Sequence, residues 1–131
     1  MRAWLIDDDH VTNMLNRFYL EEHFPHVKTQ LYGKARLALE DLLLNRNYPD
    51  FIFLDLNMPE MNGWEFLDAL VLPEASSLSF PQIYILSSSL DPSDRLRAAN
   101  TPFVKGFLSK PLEADNLQFL NPETLQIKRV I

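Results

Sequence analysis

Short apolar runs alternate along this chain with stretches in which apolar residues recur every three or four positions. Ala3-Trp4-Leu5-Ile6 stops abruptly at Asp7, and Phe51-Ile52-Phe53-Leu54 stops at Asp55. Ile83-Tyr84-Ile85-Leu86 stops at Ser87, and Phe103 to Leu108 ends just before Lys110-Pro111. Near-continuous apolar runs of this length read as strands, buried on both faces where they are unbroken. Val27 to Leu31 alternates weakly and reads as one more strand. Between the strands, Val11, Met14, Leu15, Phe18 and Tyr19 fall at helical spacing and predict an amphipathic helix. Gly33 opens a second helix with Leu37, Leu39, Leu42 and Leu43 on its apolar face and Pro49 as its stop. Trp64, Phe66, Leu67 and Leu70 mark a third. Asp91 to Ala99 reads as a short polar helix with Pro92 in its first turn, and Leu112 to Leu120 as a short last one. Asn57 to Gly63 is a turn-rich loop, and Pro73 to Pro81 a connector of serines and prolines.

Five strands alternating with helices predict an α/β fold: a doubly wound, five-stranded parallel sheet covered on both faces. The length of 131 residues suits one domain. We place that domain at residues 1–121 and a short C-terminal tail at 122–131. The net charge of −6 disfavours non-specific contact with nucleic acid or an anionic membrane. The absence of cysteine excludes a disulfide framework and any thiolate metal or redox site. No signal peptide and no apolar run of membrane-spanning length is present, so a cytoplasmic protein is expected.

Candidate chemistry gathers at the strand ends. Asp7, Asp8 and Asp9 follow the first strand, Asp55 the third, Ser87 the fourth and Lys110 the fifth. In an open parallel sheet the carboxyl ends of the strands share one edge, where ligands bind. Two carboxylates ~4 Å apart repel by roughly 4 kcal/mol at an effective dielectric near 20, so such a cluster needs cations. A magnesium ion and the Lys110 ammonium would balance the charge of Asp7, Asp8 and Asp55. Hard oxygen donors suit Mg²⁺, whereas the three scattered histidines do not suggest zinc. A metal beside a carboxylate nucleophile, a hydroxyl and an ammonium makes a phosphoryl-transfer set.

Leu5-Ile6-Asp7-Asp8-Asp9, Leu54-Asp55 through Gly63, Ser87-Ser88 and Phe107-Leu108-Ser109-Lys110-Pro111 together resemble the receiver domain of two-component response regulators. The likeness runs from about Ala3 to about Leu120. The resemblance implies a flavodoxin-like (CheY-like) sheet of strand order 2-1-3-4-5. It implies Asp55 as phosphoacceptor, and Asp7, Asp8, Asp55 and the Asn57 backbone carbonyl as ligands of Mg²⁺ (or Mn²⁺). Ser87 and Phe107 become the switch pair, Lys110 the phosphate-binding lysine, and Pro111 a candidate for a cis peptide bond. The implied partners are a sensor histidine kinase or histidine phosphotransfer protein and a downstream protein. Direct nucleic-acid and membrane contacts are not implied; a phosphorylation-dependent homodimer is allowed. The chain would promote only its own phosphorylation and dephosphorylation.

Taken singly, most of these residues have plainer readings. Asp9 reads as a helix cap, and His10, His23 and His26 as solvent-facing. Only the convergence is informative. The enzyme alternative, a haloacid-dehalogenase-type phosphatase, wants a second acid two residues after the nucleophile, where Asn57 stands. Three glycines and no glycine-rich loop disfavour a nucleotide module. A receiver excised from a larger regulator with a DNA-binding or enzymatic output is the alternative within the same family.

Overall fold

The computed structural model describes residues 1–70, 80–88, 91–101 and 103–118. Parallel strands β1 (Arg2–Ile6), β2 (Lys28–Tyr32), β3 (Phe51–Leu54), β4 (Gln82–Ser87) and β5 (Val104–Ser109) form one sheet in the order β2-β1-β3-β4-β5. The helices are α1 (His10–His23), α2 (Ala35–Leu43), α3 (Gly63–Asp68), α4 (Pro92–Ala99) and α5 (Ala114–Leu117). This is the doubly wound α/β architecture and the strand order that the sequence led us to expect. The proposed tail boundary after residue 121 and most of the Pro73–Pro81 connector lie outside the described residues.

Strand side chains alternate between the two faces of the sheet. Trp4, Ile6, Ile52, Leu54, Ile83 and Ile85 pack under α2, α3 and α4, against Leu42, Phe66, Leu67 and Ala98. Ala3, Leu5, Phe51, Phe53, Tyr84 and Leu86 pack under α1 and α5, against Leu20 and Leu117. Each fully buried Leu, Ile or Phe contributes roughly 1.5–3 kcal/mol of transfer free energy, which is why the apolar runs become central strands. The two edge strands carry Lys28 and Lys105, charges that oppose further strand addition.

β5 has a register shift. Ile83 pairs with Val104 but Tyr84 pairs with Gly106, leaving Lys105 as an extra residue. Gly106 lies close under Tyr84 there: a Cβ would meet the ring at 3.1 Å, so the ring would have to give by a few tenths of an ångström. The extra residue also puts Phe107, paired with Ile85, on the same face as Val104, toward α4.

Helix faces depart from the periodic reading. In α1 the buried residues are Asn13, Asn16 and Leu20, while Val11 is 73% and Phe18 57% exposed, and Met14 and Leu15 also face outward. The helix forms as expected, but of its apolar stripe only Tyr19 packs against the core. The cause is local: α1 lies over strand-end loops whose backbone groups need hydrogen-bond partners, and asparagine supplies them where leucine cannot. In α2 the inner face is Ala35, Ala38 and Leu42, Leu37 points outward, and Leu39 and Leu43 are half-buried. That helix ends at Leu43, well before Pro49, and the chain turns through Arg46 at φ 48°. Leu112 is buried ahead of α5 rather than within it.

Candidate functional site

The residues that follow the strands continue the ladder. Asp7 N–H donates to the Tyr32 carbonyl at 3.0 Å, and Asp55 N–H to the Ile6 carbonyl at 2.9 Å. Lys110 N–H donates to the Ser87 carbonyl at 3.1 Å. Each functional side chain thus springs from a backbone held by its neighbouring strand, at the one edge where the carboxyl ends meet.

Asp55 is seated further by α3. A capping box, in which Asn62 and Glu65 exchange hydrogen bonds, starts this helix. Gly63 N–H then donates to the Leu56 carbonyl at 3.0 Å. A Cβ on Gly63 would lie 2.5 Å from the Asp55 carbonyl oxygen, so only glycine lets the helix close onto the acid's backbone. Glu60, in the loop between, sits at φ 67°.

The charges meet where the topology predicts. Asp7, Asp8 and Asp55 each offer a carboxylate oxygen, all within 4.8 Å of one another. Asp7 and Asp55 are buried and Asp8 is exposed. The Lys110 ammonium lies between the buried pair, 2.6 Å from Asp7 Oδ2 and 3.0 Å from Asp55 Oδ1. The other Asp7 oxygen accepts from the Asp9 N–H at 2.9 Å. Asp9 itself turns away and caps α1 through Val11 and Thr12, the role expected of it. Hydrogen bonding to Thr12 holds its carboxyl below the usual range.

Burial pushes the Asp55 carboxyl up; the Lys110 hydrogen bond opposes this and the Asp7 charge reinforces it. Burial pulls the Lys110 ammonium down, but hydrogen bonds to Asp7 and Asp55 outweigh it, and its net shift is upward. One ammonium against three acids leaves negative charge uncompensated. A hard dication would relieve it, and three carboxylates within 4.8 Å of one another, one of them exposed, are a fitting donor set.

Ser87, the last residue of β4, is buried beside the Lys110 backbone. Asn57 is exposed on the loop after β3, and its backbone N–H helps hold the Asp55 charge. Phe107 is half-buried on the α4 side, with the Arg95 guanidinium 5.0 Å from its ring centroid. The Lys110–Pro111 peptide bond is cis. Asp7, Asp55 and Lys110 are thus in direct contact, Asp8 joins them, and Phe107 stands apart in the next layer.

Sequence reasoning overlooked three asparagines. Asn13 Nδ2 donates to the carbonyls of Asp7 at 2.9 Å and Tyr32 at 3.2 Å. Asn16 Oδ1 accepts from the Leu112 N–H at 2.9 Å. Asn116 Nδ2 donates to the carbonyls of Ser109 at 2.7 Å and Pro111 at 3.0 Å. The spacing Asn13, Asn16, Leu20 is helical and was visible, but the outward stripe beside it was the stronger pattern.

Residues 3–120 match the family described as response regulator receiver domain. The sensory/regulatory protein RpfC of Xanthomonas campestris pv. campestris is 30% identical over 113 residues, covering 86% of this chain and 15% of that protein. The chain therefore spans about 15% of the length of that curated relative. An uncharacterized 14.6 kDa protein of Leptolyngbya boryana is 32% identical, covering 86% of this chain and 81% of that one. Among solved structures, a two-component response regulator from Cytophaga hutchinsonii superposes with a TM-score of 0.80 at 32% identity, covering 98% of this chain and 96% of the other.

Proposed function

Because the chain belongs to the response regulator receiver domain family, we propose that it takes a phosphoryl group onto Asp55 from a phosphohistidine of a partner kinase or phosphotransfer protein, and signals by altered contact with a second protein. The observation that carries this reading is the Lys110 ammonium held between Asp7 and Asp55, with Asp8 alongside. Asp55 would form the new O–P bond as the P–N bond to the donor imidazole breaks; the leaving nitrogen keeps that electron pair. Lys110 is placed to neutralise the incoming phosphoryl oxygens. Ser87 would turn its hydroxyl to one of them, and Phe107 would follow into the space released.

Asp7, Asp8, Asp55 and the Asn57 carbonyl would hold Mg²⁺ or Mn²⁺, which supplies charge neutralisation for the transferring group. Chemistry of this kind is confined to the chain's own acyl phosphate, as fits a signalling domain rather than a metabolic enzyme. No helix among the described residues is long and apolar enough to cross a membrane. We place the chain in the cytoplasm, where kinases draw on ATP. The small share of RpfC that it matches favours a second reading, in which the same switch governs an output domain of a larger regulator.

The test is the intact mass after incubation with acetyl phosphate and Mg²⁺, beside an Asp55→Asn variant and a metal-free control. We expect one phosphoryl adduct that needs both Asp55 and metal. No adduct on a folded, metal-bound chain would overturn the phosphoacceptor role in favour of a docking scaffold.

A further inference from the structure

Lysine reaches its target through a flexible four-carbon stem, so its ammonium is only as well placed as the backbone beneath it. In this chain that backbone is held by hydrogen bonds from three directions. Lys110 N–H is spent on the Ser87 carbonyl. Pro111 has no N–H, so the next donor is Leu112, and it points at the side chain of Asn16 rather than at any backbone group. From the other side, Asn116 takes the carbonyls of Ser109 and Pro111. Asn16 is 1% exposed and Leu112 fully buried, so the bond between them is shielded from water.

Asn16 sits one turn along α1 from Asn13, which holds the carbonyl of Asp7. One helix face therefore grips the backbone beneath both partners of the Lys110–Asp7 pair. A hydrogen bond fixes distance and direction, which an apolar contact at the same place does not.

We propose that Asn16 is a positioning residue for Lys110 in phosphoryl transfer to Asp55. It sets the root of the lysine through Leu112 and touches no reacting group itself. This rests on the phosphoacceptor reading above.

The test is a double-mutant cycle on the full chain, with Asn16→Leu, Lys110→Met and their combination. The rate of Asp55 adduct formation from acetyl phosphate and Mg²⁺ is followed by intact mass. Asn16→Leu is expected to slow the unaltered chain by about tenfold. In the Lys110→Met background it is expected to slow the reaction by no more than about twofold, because the group it positions is gone. Equal slowing in both backgrounds would make Asn16 a structural residue only and overturn the proposal; so would no slowing in either. Asn16→Ser, too short to reach Leu112, runs in parallel, so a loss of fold in the leucine variant, seen by thermal melt, still leaves a readable cycle. Failure of the unaltered chain to form an adduct sinks the phosphoacceptor reading and this proposal together. An adduct with additive losses sinks this proposal alone.

Discussion

The two faces of the sheet are held to their helices by different means. Under α2, α3 and α4 the contact is almost wholly apolar, with Trp4, Ile52, Leu54, Phe66, Leu42 and Ile83 each at 1% exposure or less. Under α1 and α5 the apolar cluster is smaller, and three asparagines tie side-chain amides to loop backbone. Volume packing is non-directional and secures a layer against the sheet. Amide staples specify where individual backbone atoms lie. The stapled side is the one beneath Asp7 and Lys110, where position has chemical consequences.

The contrast can be broken by experiment. Leu42→Ala, which empties the centre of the packed layer, should cost about 2–5 kcal/mol in urea unfolding while the phosphorylation rate per folded molecule stays unchanged. A rate that falls with it would show that the packed layer also sets the site. Asn13→Leu should cost less, about 1–3 kcal/mol for the Asp7 carbonyl left without this donor, yet should slow adduct formation severalfold. Wild-type kinetics would erase the distinction between the layers. Asn62→Ala, removing the cap of α3, should lower stability by about 1 kcal/mol in the same assay. Smallest, Arg97→Ala should cost about 0.5 kcal/mol, since the guanidinium lies 4.4 Å from the Trp64 ring centroid in an exposed setting.

How far the sequence could be read follows from the same division. Strands β1, β3 and β4 were legible because a run buried on both sides has no alternative but to be apolar throughout, and each ends where a polar group must reach the edge. Asp7, Asp55, Ser87 and Lys110 were found by that rule. The orientation of α1 was not. Val11, Met14, Leu15 and Phe18 fit an inward stripe, but periodicity reports only that residues share a face, not what that face meets. Asn16 was invisible for a further reason: its partner is a backbone N–H 96 residues away, which has no signature in side-chain chemistry. The β5 irregularity escaped as well, since an extra residue opposite the Ile83–Tyr84 step leaves no mark in the apolar pattern.

The rungs that continue past the strand ends bear on what a switch built here can move. The amides of Asp7, Asp55 and Lys110 are each bonded to a carbonyl of the adjacent strand or its last residue. Their exchange with deuterium should therefore track opening of the sheet itself, not fraying of a loop. The acids and the lysine then share the stability of the sheet rather than that of the loops that follow them. What the ladder holds there is the backbone of these three residues; their side chains remain the parts that can turn at this edge.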